Sequence, residues 1–472
     1  MADSSRSITL TGRIKLFIGC PPIYQNFLFY DERSVSSVNN ILVRSAAGLA
    51  ALTTLSLAGC GQTSTPTPSS AGSSEPVTIT WYASPIAGVG IRSDMIRLFE
   101  KSYPNIRVKL ITAPTNTDTN RAALTTQISS GSATPDVFMG DVVWPAQFAS
   151  ANLALDLSKY LPSSFWSRFA PGLVQGASYR GQVYGAPFFM DAGFLYYRKD
   201  LLAEAHLPVP HTWAQLIQDS QTLQRDGLVR YGFVWEGNAY EGLTCDWMEY
   251  MTDAGGKILN AAGTRSEINS PASLKALTLM RSFITSGVSP AAVTTFEEPQ
   301  AMAVFDAGQA AFLRNWDYAW SNSNDPTDSK VVGKVGVAPL PTFSAGQYPG
   351  YSNIGGWDIY INPHSQHIPQ DLTFIKWITG TQAQTVLATK FSEIPTNYAV
   401  QKNPAVRQIN PVLAAVSQVR LIARPAGTPA YPKVSQAIYS NINAALNGSV
   451  SPQTALQQAQ AQINQAISQN SL

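Results

Sequence analysis

The chain is 472 residues long, enough for two domains, and 44% hydrophobic, enough for sizeable cores. Only 13% is charged and the formal net charge is +2, which excludes a strong field for nucleic acid. No apolar run approaches the ~18 residues of a membrane-spanning helix, and three cysteines are too few for a disulfide framework.

The first informative stretch is SAAGLAALTTLSLA, residues 45–58. It follows Arg44 and ends in Leu57-Ala58-Gly59-Cys60. A positive flank, a short apolar core and small residues before a cysteine make a secretory signal, and the quartet resembles the lipobox of bacterial lipoproteins. Residues 1–59 are therefore expected to be a leader and signal peptide, with lipid on Cys60. Within it, residues 1–37 have neither signal nor domain character, which fits a gene start placed too far upstream. Residues 60–76, rich in Ser, Thr, Gly and Pro, cannot bury a core and read as a flexible tether. Cleavage before Cys60 would remove five of the 32 basic and three of the 30 acidic residues, leaving 27 of each. Anchoring would then rest on acyl chains rather than on a basic patch.

The segments that follow alternate. VTITWYAS (77–84) reads as a buried strand and 93–103 as an amphipathic helix stopped by Pro104. IRVKLITA (106–113) is a strand, 121–130 a helix, and PDVFMGD (135–141) a strand ending in Asp141. That order implies a parallel sheet, with ligand beyond the carboxyl ends of the strands. Helices are predicted over 214–225, 273–286, 372–379, 381–389, 434–448 and 452–468, and strands over 231–235, 335–341 and 355–362. His364 and His367, in HSQH between prolines, read as surface residues rather than metal ligands. No cofactor is expected.

Trp144, Trp235, Tyr240, Trp316, Tyr318, Trp357 and Tyr431 fall beside glycines or at predicted strand ends. One such residue alone is ordinary core. As a set near carboxylates and an arginine they suggest carbohydrate, whose C–H faces stack on rings and whose hydroxyls need charged partners.

PDVFMGDVVWPAQFA (135–149), YGAPFFMDAGFLYYRKDLL (184–202), HTWAQL (211–216), AVFDAGQAAFLRNWDYAW (303–320), VGVAPLP (335–341) and SEIPTNYAV (392–400) together resemble the extracellular solute-binding proteins of family 1, which serve ABC sugar importers. YEGLTC (240–245), NIGGWDIYIN (353–362) and ARPAGTPAYPKVSQAI (423–438) look like its trehalose/maltose-binding branch. The resemblance implies an α/β fold of the periplasmic-binding-protein type: a clamp of two discontinuous lobes joined by hinge strands. Lobe one would comprise 77–187 and 337–392, and lobe two 188–336 and 393–472. Crossings would fall near Pro187, Pro339 and Pro395.

By the same resemblance, Asp141 and Asp191 would accept hydrogen bonds from sugar hydroxyls and Arg424 would clamp them. Trp316, Tyr318 and Trp357 would stack, Gly356 would let the backbone approach, Glu241 would contact or gate the ligand, and Arg121 would serve the first lobe. The branch often carries an acidic residue after the first strand. Here SPIAGVGIRSD (84–94) has none before Asp94, so the disaccharide itself stays open. Cys245 reads as a small buried residue. The implied partners are a disaccharide or oligosaccharide, the permease subunits of an importer, and the membrane through Cys60. The implied place is the extracytoplasmic face, and the expected state is a monomer. The rival reading is a lipid-anchored glycosidase acting on α-glucosides, but no pair of carboxylates is fixed by the sequence at opposite sides of one glycosidic bond.

Overall fold

The computed structural model describes residues 75–85, 90–409 and 411–469. The lipobox, Cys60 and the tether up to residue 74 lie outside the described residues. Gly72–Leu472 forms one compact unit. Among the described residues, no helix is long and apolar enough to cross a membrane.

The strands are β1 (Val77–Ala83), β2 (Ile106–Thr112), β3 (Val137–Asp141), β4 (Ser178–Tyr179), β5 (Gln182–Val183), β6 (Ala186–Arg198), β7 (Tyr231–Val234), β8 (Ala310–Trp316), β9 (Val335–Ala338), β10 (Tyr351–Ile361), β11 (Ile394–Pro395) and β12 (Arg420–Ile422). One sheet runs β2-β1-β3-β10-β6-β8-β7, with β9 and β11 also on β6 and β12 on β10. β1 is parallel to both β2 and β3, as the strand–helix alternation predicts. β10 then enters antiparallel to β3, with Trp357 opposite Asp141.

Two long strands unite the two lobes. The first half of β6 pairs with β10, Asp191 lying opposite Gly355. Its second half pairs with β8, Gly193 opposite Trp316, and with β9. Burial follows the same division. Ala186, Phe188 and Phe189 join the core of Ile79, Trp81, Phe99 and Phe138, whereas Leu195 joins that of Trp213, Phe233 and Met280. Residues of β9 pair with Leu195–Arg198 in the second lobe. The start of β10 also pairs there, Tyr351–Asn353 with β12. We therefore place the middle crossing on β10, at about 354–357, rather than near Pro339. Pro395 of β11 pairs with Phe189, and we place the third crossing there.

The predicted helices occur at Gly90–Ser102, Thr117–Ser129, Trp213–Arg225, Pro271–Thr285, Ile368–Ile378, Thr381–Phe391, Tyr431–Leu446 and Pro452–Gln469. Caps explain several starts. Asn116, Thr212 and Ser270 each accept a backbone N–H of the first turn with their side chains. The helix Glu241–Asp253 has no counterpart in the predicted elements. It buries 12 of its 13 residues, so no polar face betrays its period.

Candidate binding site

Asp141 closes β3 in the first lobe, Arg424 follows β12 in the second, and Glu241 opens the helix Glu241–Asp253. The Arg424 guanidinium grips Asp141 with both terminal nitrogens, Nη2 to Oδ1 at 2.8 Å and Nη1 to Oδ2 at 3.1 Å. Nη1 also donates to Glu241 Oε1 at 2.9 Å. Tyr431 Oη donates to the same Glu241 oxygen, and the Val143 N–H donates to Asp141 Oδ1. All four polar side chains are buried. Burial pushes the Glu241 carboxyl up to about 7, with Arg424 pulling the other way. This is a desolvated, bidentate ion pair joining one lobe to the other.

Two further contacts cross between the lobes. Asp118 Oδ2 accepts the Glu241 N–H at 3.0 Å, and Asn116 donates to Glu297 at 2.7 Å. Behind these residues the lobes enclose a cavity of about 30 Å³, the scale of one or two waters. Asp141, Asp191, Glu241, Trp316, Tyr318, Gly356, Trp357 and Arg424 all line it. Arg121 does not. It sits one layer out, 3.4 Å from Asp118. Thr117, Gly242, Cys245, Glu298 and Gly355 complete the wall.

The aromatic walls are held from behind. Trp316 ends β8, and the Arg314 guanidinium lies 4.2 Å from its ring centre. Trp357 meets Trp144 edge-on at 6.1 Å. Gly355 and Gly356 are glycines for packing reasons. A Cβ on Gly355 would come 2.8 Å from the Trp316 ring. Gly356 has φ +115°, and a Cβ there would lie 2.4 Å from the Phe189 carbonyl oxygen. The neighbouring strand, not only the cavity, therefore demands glycine at 356. Cys245 is buried, and burial pushes its thiol up, in line with a small packing residue.

Thr117, Gly242, Gly355 and Glu298 are cavity residues that the sequence reading missed, and Glu298 is the charged one among them. It is the first residue of the helix Glu298–Asp306, behind a capping box of Glu297 and Gln300. The run FEEPQ carries that capping signal, but nothing in it separates the residue facing the cavity from the one that caps. Burial and Glu236 push the Glu298 carboxyl well above the usual range.

Strand alternation gives the crossing strands two working faces. Asp191, Gly355 and Trp357 face the cavity just described, while Met190, Ile354 and Asp358 line a larger, mainly apolar cavity of about 600 Å³, bounded also by Leu173 and Leu421. Arg424 lines both.

With this geometry in view, the comparisons are direct. Residues 82–385 match the family described as bacterial extracellular solute-binding protein. A probable ABC transporter-binding protein of Deinococcus radiodurans is 33% identical over 366 residues, 75% of this chain and 86% of that one. A maltooligosaccharide ABC transporter solute-binding lipoprotein of Streptococcus pneumoniae is 25% identical over 76% of this chain and 84% of its own. Among solved structures, maltose-bound MalE3 of T. maritima is 33% identical with a TM-score of 0.77, covering 82% of this chain and 99% of that one. The two-lobed α/β clamp, the residues matched and the extent of these similarities lead to one statement of kinship: the chain belongs to the bacterial extracellular solute-binding proteins.

Proposed function

We propose that the protein captures a disaccharide or short glucoside of the maltose or trehalose type outside the cytoplasm and delivers it to the membrane subunits of an ABC importer. The observation that carries this reading is the inter-lobe cavity, in which four carboxylates and an arginine face Trp316, Tyr318 and Trp357. Acidic acceptors and a guanidinium satisfy vicinal hydroxyls, and rings cover the C–H faces. The similarity to a maltose-bound structure points the same way.

Asp141 and Arg424 are assigned to hydroxyls from opposite lobes, Asp191 to a hydroxyl at the hinge, and Glu241 to a gating contact shared with Arg424. Arg121 is assigned to the rim, holding Asp118 beneath Glu241. A cavity of about 30 Å³ does not admit a sugar, so capture requires the lobes to part and the Arg424–Asp141 pair to yield. The sugar then enters between those groups, and the clamp closes through contacts that the parted form lacks. Lobe one is assigned to residues 77 to about 189 plus about 356 to 392, and lobe two to most of the remainder. Lipid on Cys60 is assigned as the anchor.

The test is a thermal-shift and calorimetric screen over maltose, trehalose, maltotriose and mannitol, with glucose release followed in parallel. Stabilisation that grows with the logarithm of sugar excess, without turnover, is the expected result. Glucose release would place the protein with the glycosidases, and a flat response to every sugar would overturn the reading.

A further inference from the structure

Three carboxylates meet where the lobes join. Asp191 lies on β6 at the crossing, Asp317 directly follows β8, and Glu393 directly precedes β11. One oxygen of each lies within 4.8 Å of the other two, and all three residues are buried. Asp317 accepts the Ala192 N–H at 3.3 Å through one oxygen and the Ile394 N–H at 2.9 Å through the other, so it staples β6 to β11. Among the described residues, no N–H or hydroxyl donor reaches Asp191 Oδ1 or either oxygen of Glu393.

The groups facing this cluster come from every neighbouring element. Arg92, of the helix Gly90–Ser102, attracts Glu393 and Asp191. Asp141, at the end of β3, repels Asp191 and is itself neutralised by Arg424. Tyr196 of β6 donates its hydroxyl to the Trp316 and Asp317 carbonyls, and Tyr318 stands close to Asp191 and Glu393. Among the described residues, the three carboxylates therefore share one nearby cation, Arg92. A buried excess of negative charge is costly by several kcal/mol. Protons held between carboxyl oxygens relieve it, turning repulsion into O–H···O⁻ hydrogen bonds.

We propose that Asp191, Asp317 and Glu393 form a proton-binding site in the hinge, and that closure on a sugar draws protons into it. The linkage rests on the sugar-clamp reading, because Asp191 alone of the three also lines the sugar cavity. Parting the lobes lets water reach Asp191, and closing them removes it. Burial, with Asp141, pushes Asp191 up to about 7 against the pull of Asp317, Glu393 and Arg92, and burial with the neighbouring carboxyls raises Asp317 and Glu393 well above the usual range. The closed form thus binds more protons than the parted form. Its advantage is complete at low pH and is lost as pH rises through about 7. For a single proton, affinity for maltose should fall about tenfold between pH 6 and pH 8.

The test begins without sugar. Urea unfolding of the wild type is compared with Glu393→Gln, and with Asp191→Asn as a second variant, between pH 5 and pH 9. The wild-type ratio of folded to unfolded protein should fall about tenfold more than that of either variant from pH 6 to pH 8. Parallel profiles would overturn the site. Restoration of wild-type stability at pH 8 by millimolar calcium would also overturn it, assigning the cluster to a cation instead. Calorimetry with maltose in buffers of different ionisation heat then reads the linkage. Proton uptake that Glu393→Gln diminishes is expected, and maltose binding without uptake would overturn it. A protein that binds neither maltose nor trehalose at any pH overturns the sugar reading and the linkage together, while the unfolding comparison still decides the proton site.

Discussion

Arg314 and Arg424 are buried arginines that each pair with more than one carboxylate, and of the two only Arg424 belongs to the candidate site. Arg314, on β8, donates to Glu249 through Nε at 3.0 Å and Nη2 at 2.7 Å, and to Glu236 through Nη1. Asp246 pairs with the same Nη1 at 2.8 Å. Every partner lies in the second lobe, and the Glu249 carboxylate also accepts the Asn353 N–H at the start of β10. Burial and Asp246 push Glu236 up to about 8, with Arg314 opposing them. Arg424 also has buried partners, Asp141 and Glu241, but one of them lies in the other lobe. The same chemistry is thus a strut in one place and a latch in the other. Connectivity, rather than charge or burial, decides which: Arg314 can lose its partners only if the lobe unfolds, Arg424 if the lobes merely part.

The comparison breaks most sharply at Arg314. Arg314→Met leaves Glu249, Asp246 and Glu236 without their cation in a place that water cannot reach. The expected cost is about 3–5 kcal/mol of stability, read by chemical denaturation. A shift under about 1 kcal/mol would mean that the three carboxyls hold enough protons to need no cation. Gly193→Ala probes the same strut from below. A Cβ at 193 would lie 2.5 Å from Glu249 Oε1 and 2.6 Å from Arg314 Nη2. Overpacking of this kind costs about 1–3 kcal/mol, and the melting temperature should fall while sugar affinity, measured well below it, holds.

Arg424→Met should do the reverse. The freed Asp141 and Glu241 can regain water by letting the lobes part, so unfolding should shift by less than about 1 kcal/mol. Affinity for the sugar identified in the screen should fall roughly tenfold to a hundredfold, the loss of one or two charge-assisted hydrogen bonds. X-ray scattering should then show a larger radius at saturating sugar than the wild type gives. A variant with unchanged affinity, or one that unfolds as Arg314→Met does, would erase the distinction between latch and strut.

Much of this was legible in the sequence, for physical reasons. β2 and the helix Gly90–Ser102 show clean periods because each keeps a wet face, while β1 and β3 read as short apolar runs buried on both sides. Asp141 was singled out because it ends a parallel strand, and Trp316, Tyr318, Trp357 and Arg424 because they sit in motifs with a family resemblance; the structure gathers all five around one cavity. The Arg314 strut was not found. Two of its carboxylates, Asp246 and Glu249, sit on a helix buried on nearly all sides, where no polar face marks the period. The sequence reading set the middle crossing near Pro339, where a proline suits a hinge strand; β9 pairs with Leu195–Arg198 of β6, which is why we place the crossing on β10 instead. Gly356 was read as making room for a ligand, whereas its φ of +115° and the Phe189 carbonyl demand it first.

The smallest expected effect concerns Arg121, which sequence reasoning placed in the site and the fold places beside it. Its guanidinium is 3.4 Å from Asp118, and both side chains are about one-fifth exposed. Asp118 in turn accepts the Glu241 N–H at 3.0 Å, so Arg121 reaches the latch only through two intermediaries. A partly hydrated pair at that distance is worth about 0–1 kcal/mol. Burial already raises the Asp118 carboxyl, with Arg121 pulling it back down, so removing the arginine should weaken Asp118 as an acceptor without displacing it. Arg121→Ala should therefore change sugar affinity by no more than about threefold and leave unfolding almost unmoved. A loss comparable to that of Arg424→Met would mean that Arg121 swings into the cleft when the lobes part and touches the sugar itself, and the latch would then have two arginines rather than one.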